Sequence, residues 1–159
     1  MSLSSPSPVF GKIKIDPKWK IAIVRSVWHT ELTEALRDDA ISTLIEAGLK
    51  KQNITLIDSP GSFELPLLCK HAIEQRKVDG CIALGVVMQG ATHHARLVAE
   101  AAADGLMQLT LNTGIPIAFE VLFVDTLEDA RVRSIGKDGK GPLAARTLLT
   151  SLARIEEMR

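Results

Sequence analysis

The stretch Gly85-Val-Val-Met-Gln-Gly-Ala-Thr-His-His94 carries the residues best suited to chemistry. Gly90 and Ala91 let backbone approach a ligand closely. Thr92 stands where it can cap a helix, whose free N–H groups and positive dipole end make a seat for phosphate. His94 falls in the first turn beside that seat, where an imidazole can take or give a proton near neutral pH. Adjacent His93 and His94 point in different directions on a helix, so a shared metal ion is not expected. The stretch is neither a Walker loop nor a dinucleotide fingerprint, because the glycine spacing and the Lys-Ser/Thr pair are missing.

Three further segments add polar and aromatic groups. In Ser59-Pro-Gly-Ser-Phe-Glu64 a Pro-Gly turn precedes a helix start and exposes the amides of Ser62, Phe63 and Glu64, donors suited to hydroxyls or an anion. Glu64 adds an acceptor for hydroxyls. Trp28 offers an indole that can stack on a planar heterocycle. Phe119 lies on a late apolar run, and Arg133 can clamp a phosphate bidentately. Taken singly, each has a plain alternative: Trp28 as a core anchor, Ser59–Glu64 as a turn with its cap, and His94 and Arg133 as solvated surface groups.

The elements around these segments alternate. Lys20–Val24, Ile54–Asp58, Cys81–Met88 and Pro116–Phe123 are short apolar runs expected as buried strands. Thr30 is expected to cap a helix stopped at Gly48, and helices are expected over Glu64–Arg76, Thr92–Thr113 and Thr126–Arg133, with a last one from Pro142. Gly136–Gly141 follows a helix and reads as a hinge. Alternating strands and helices imply one α/β domain, a parallel sheet covered on both faces, with ligands at the carboxyl ends of its strands. All four segments fall there. Three of the six aromatics, Trp28, Phe63 and Phe119, fall at that edge too, which suggests a flat apolar slot.

Composition limits the function classes. The 159 residues suit one domain, taken as 11–159 after a flexible Ser/Pro-rich tail over 1–10. Nineteen basic and nineteen acidic side chains cancel, against the positive field that nucleic-acid binding needs. Two cysteines, Cys69 and Cys81, are too few for a disulfide framework or a cysteine metal site and are expected to pack as small apolar groups. His71 is expected to have no special role. No run approaches the ~20 apolar residues of a membrane span, and the start lacks a secretory pattern. A soluble cytoplasmic chain is the expectation, with no membrane or nucleic-acid partner.

Together, Ser59-Pro-Gly-Ser-Phe-Glu-Leu-Pro66, Ala83–His94, Gly114–Phe119 and Asp125–Ala130 with Arg133 resemble the lumazine synthase family of riboflavin biosynthesis, from about Lys20 to the last helix. The resemblance implies a flavodoxin-like three-layer sandwich with a four-stranded parallel sheet. It implies a transferase condensing 5-amino-6-(D-ribitylamino)uracil with 3,4-dihydroxy-2-butanone 4-phosphate, without metal or organic cofactor. By the same resemblance Trp28 would stack on the pyrimidine, Ser62, Phe63 and Glu64 would hold the ribityl chain, and the backbone of Val86, Val87 and Met88 would read the ring's polar edge. Ala91 and Thr92 would seat the phosphate sugar, Arg133 would take its phosphate, and His94 would move protons. Phe119 would come from the neighbouring subunit of a homo-pentamer, a unit that some members close into a larger shell.

The chain departs from the family pattern at His29, where Asn is usual, at Gln89, where Arg or Lys is common, and at Ala95, where an aromatic is frequent. Glu120 replaces a small residue, and Phe123-Val124 replace Thr-Thr. Two other functions fit the same scaffold: a non-catalytic lumazine- or flavin-binding or shell-forming protein, and a generic phospholigand binder. A pure binder needs neither His94 nor Arg133, and the generic binder does not call for Trp28, Ser62–Glu64 and His94 at once.

Overall fold

Uninterrupted apolar runs become the two central strands of a four-stranded sheet in the computed structural model. The structure describes Pro8 and residues 10–159; apart from Pro8 and Phe10, the expected tail over 1–10 lies outside the described residues. β1 (Ile21–Ser26) is buried at all six positions and β3 (Gly80–Met88) at its first seven. β2 (Ile54–Ser59) and β4 (Ile117–Val124) flank them in the order β2-β1-β3-β4, every pair parallel. Ile21 lies opposite both Ile54 and Gly80, and Cys81 opposite Ile117, so the amino ends come out level, while β3 and β4 continue together to Met88 and Val124, beyond the ends of β1 and β2.

Side chains alternate across the pleat and feed two cores. Ile21, Ile23, Ile82, Leu84 and Leu122 pack under α1 (Thr30–Glu46), α4 (Leu127–Ser134) and α5 (Gly141–Glu157). Ala22, Val24, Cys81, Ala83 and Val121 pack under α2 (Leu65–Arg76) and α3 (His94–Thr113). The result is the expected flavodoxin-like three-layer sandwich. Cys69 and Cys81 are buried, unbridged members of the second core, and His71 is exposed, its Nδ1 3.0 Å from the Leu67 carbonyl oxygen. The chain steps from β1 outward to β2 and then back past β1 to β3, so the sheet's switch point lies between β1 and β3. No helix among the described residues is long and apolar enough to cross a membrane.

Local boundaries differ from expectation in three places. The cap of α1 is His29, in the left-handed region at φ 53 and ψ 52, while Thr30 opens the helix and its hydroxyl donates to the Val27 carbonyl at 2.6 Å. Helix α3 starts at His94 instead of Thr92, because residues 89–93 form a loop closed on itself by Gln89. β4 is an edge strand, and Phe119 and Phe123 are each 45% exposed, so it is not the buried strand its apolar run suggests.

Candidate active site

The turn after β1 is set by short-range hydrogen bonds. The Val27 amide continues the ladder to the Ser59 carbonyl at 2.9 Å, and the Trp28 amide donates to Ser26 Oγ at 3.2 Å. The left-handed backbone of His29 then reverses the chain at once. That region is rare for non-glycine residues and most accessible to Asn, Asp and His. Trp28 is left 66% exposed, which excludes the core-anchor alternative. Behind the turn, the buried Arg25 donates from Nε to Asp58 Oδ1 at 3.0 Å and from Nη1 to Thr33 Oγ1 at 3.3 Å, binding β1, β2 and α1 together.

The turn after β2 is held from inside. The Ser59 hydroxyl donates to the Gly61 carbonyl at 2.7 Å, both residues being buried. Ser62 is buried, Phe63 is exposed, and Glu64 caps α2, whose first turn contains Pro66. A Cβ on Gly61 would stand 3.0 Å from Glu64 Oε2 and 3.6 Å from the Trp28 indole. Bare backbone at residue 61 therefore brings a carboxylate and an aromatic plane to one spot.

These turns and the ends of β3 and α3 enclose a cavity of about 580 Å³. Trp28, Ser62, Phe63 and Glu64 line it from the first two turns, Val86, Val87 and Met88 from β3, and His94 from α3. Its volume falls in the range of small-ligand sites, with mostly apolar walls and a few convergent polar groups. Among the described residues, no group hydrogen-bonds a ring nitrogen of His94, whose own amide donates to Thr92 Oγ1 at 3.4 Å. The imidazole is open to a ligand.

Four expected site residues are not brought into this cavity. Ala91 and Thr92 sit on the exposed loop before α3 and do not line it. Phe119 does not join Trp28 and Phe63, so the three aromatics form no common slot within one chain; Phe119 lies on the edge strand. Arg133 lies on α4, its Nη1 donating to the Asp129 carbonyl at 3.3 Å and its guanidinium half exposed. His29 and Ala95, two of the departures from the family pattern, line the cavity as well, and so do Leu97 and Val98, which had not been singled out. Leu97 and Val98 follow His94 at the three- and four-residue spacing of one helix face, a signal that could have found them.

Electrostatics set one group apart. Glu120, on β4 between Ala118 and Leu122 of the first core, has its carboxyl pushed up to about 7 by burial, against a smaller opposing pull from Lys140. It shares its strand with Phe119 but faces the other side of the sheet.

The fold and the cavity define an α/β enzyme that works on small molecules at the carboxyl edge of a parallel sheet. A model of the 6,7-dimethyl-8-ribityllumazine synthase family matches residues 18–156. A 6,7-dimethyl-8-ribityllumazine synthase from Campylobacter jejuni subsp. doylei is 37% identical over 149 residues, covering 93% of this chain and 97% of the relative. Another, from Campylobacter jejuni subsp. jejuni, is 34% identical over 147 residues, covering 92% and 96%. The chain belongs to the 6,7-dimethyl-8-ribityllumazine synthase family, the enzymes of riboflavin biosynthesis that its sequence resembles.

Proposed function

We propose that this chain condenses 5-amino-6-(D-ribitylamino)uracil with 3,4-dihydroxy-2-butanone 4-phosphate to give 6,7-dimethyl-8-ribityllumazine, with the roles below for its residues. The observation that carries the reading is the single cavity onto which Trp28, Glu64 and His94 all open. Trp28 stacks on the pyrimidine, Ser62, Phe63 and Glu64 hold the ribityl hydroxyls, and the backbone of Val86–Met88 takes the ring's polar edge. Ala91 and Thr92 seat the phosphate sugar at the head of α3.

The chemistry is a series of proton transfers. The amine adds to the ketone and water leaves as the imine forms, phosphate is eliminated, and ring closure releases a second water. His94 moves the protons, a role typically worth about 10²–10⁴-fold. Holding the two substrates in register supplies more, roughly 7–11 kcal/mol in a well-oriented pair.

Phe119 and Arg133 act on the cavity of a neighbouring subunit in a homo-pentamer, which can close further into a shell. An exposed apolar surface supports this assembly. Leu97, Met107 and Leu111 line one stripe of α3, and Phe119 and Phe123 are exposed on the strand it packs against. Isolated soluble chains rarely leave so much large apolar surface uncovered. Residues 11–159 act as one domain, and the enzyme works in the cytoplasm.

The test is turnover with both purified substrates, following lumazine absorbance and released phosphate together. Equal yields of the two, with kcat reduced about 10²–10⁴-fold in His94→Ala and a much smaller change in KM, are expected. Tight pyrimidine binding without turnover would replace this reading with a non-catalytic binder.

A further inference from the structure

The loop joining β3 to α3 is organised by one side chain. The Gln89 amide donates to the Val124 carbonyl at 2.8 Å, fixing the start of the loop to the end of β4. From that anchor the carboxamide folds back along the loop, and its Nε2 donates to the Gly90 carbonyl at 3.0 Å and the Thr92 carbonyl at 3.3 Å. Two of the loop's carbonyls, those of Gly90 and Thr92, are thus drawn toward Gln89. Among the described residues, the amides of Gly90, Ala91, Thr92 and His93 donate to no protein group. A short loop with two carbonyls engaged and its amides unspent is a concavity that favours anions. The first turn of α3 adds its own free amides beside it.

We propose that Gln89 is a positioning residue, which holds residues 90–92 in the shape that presents their amides to the substrate phosphate. This rests on the reading of Ala91 and Thr92 as the phosphate seat. A neutral carboxamide shapes the loop where Arg or Lys is common in the family, so the loop contributes geometry and the countercharge comes from Arg133.

Two variants test the role. Gln89→Met keeps the length of the side chain and removes the donors, whereas Gln89→Lys restores a donor to the same carbonyls. Steady-state kinetics on the assembled enzyme, with calorimetric titration of inorganic phosphate as a readout independent of turnover, should separate them. Gln89→Met is expected to raise KM for the phosphate substrate and Kd for inorganic phosphate roughly tenfold, the effect of about one or two lost hydrogen bonds. The pyrimidine KM should hold and kcat should change less than about threefold, and Gln89→Lys should recover most of the loss. Unchanged phosphate parameters in Gln89→Met would overturn the proposal, as would an equal loss for both substrates that Lys does not rescue. If the wild-type chain binds phosphate but turns nothing over, the assigned reaction falls, while the phosphate titration of the two variants still decides the role of Gln89.

Discussion

Ser62 fills the space that a side chain on Gly85 would need: a Cβ built on the glycine would overlap the serine Oγ and stand 3.3 Å from Val121 Cγ1. The central strand is bare at this point so that the β2–α2 turn can settle onto it. Gly85→Ala is therefore expected to push Ser62 out of the cavity wall. Steady-state kinetics should show the pyrimidine KM raised by about tenfold or more. Urea denaturation should show a loss of roughly 1–3 kcal/mol, typical of overpacking. An unaltered pyrimidine KM would separate Ser62 from ribityl binding.

Arg133→Ala removes the guanidinium assigned to the phosphate substrate. It lies half exposed on α4, so the fold should tolerate its loss within about 0.5 kcal/mol. KM for the phosphate substrate should rise roughly 10- to 100-fold, as expected for a charge-assisted contact, with the pyrimidine KM unchanged. An effect confined to the pyrimidine would contradict the assignment.

Glu120 gives stability a definite slope with pH. Below about pH 4.5 the carboxyl is protonated in the folded and unfolded chain alike, and it costs nothing. As pH rises toward about 7 the unfolded chain gives up this proton first, so the group makes folding progressively less favourable. Above about 7 the cost is constant, at roughly 3 kcal/mol. Glu120→Gln should match the wild type in urea at pH 4.5, gain on it through pH 6 and lead by roughly 2–3 kcal/mol at pH 8. A gap that does not widen with pH would show that burial of Glu120 is not what limits its ionisation.

Arg25 is 5% exposed, with Asp58 and Thr33 as partners. Asp58→Ala is expected to cost roughly 1–3 kcal/mol, because it takes the nearest carboxylate from the buried guanidinium, whereas Asp58 itself stands mostly in water. Adding Arg25→Met should recover much of that loss, and the coupling in the double-mutant cycle measures the pair. Additive losses would assign Arg25 to packing alone.

Much of this was legible from the chain, and for a local reason. Strand, turn and helix follow one another within a few residues, so the run Val86–Met88 and the segment Ser62–Glu64 fall at strand ends wherever the sheet lies in space. The left-handed His29 was not legible, because the closure of a tight turn sets that angle and the identity of Thr30 suggested an ordinary cap. Gln89 stood out only as a departure from the family pattern, because a long amide finds its partners only once the loop has a shape. Glu120 lies two residues from Ala118 and from Leu122 on the face of β4 that meets the first core, so strand spacing signals its burial, yet an acidic residue there read only as a departure from the family pattern. Phe119 and Arg133 belong to the functional set by pattern, yet strand spacing cannot say which chain's cavity they serve.

The separation of His94 in the cavity from Arg133 on α4 has a genetic counterpart. In a ring where each centre draws its imidazole from one chain and its guanidinium from the next, two impaired alleles restore one another in part. Chains with His94→Ala and chains with Arg133→Ala, unfolded, mixed and refolded in equal amounts, should regain roughly a quarter of the wild-type centres, since that fraction of random neighbours pairs two intact halves. Loss-of-function variants of this enzyme would then sort into two complementation groups, one for each side of the cavity wall.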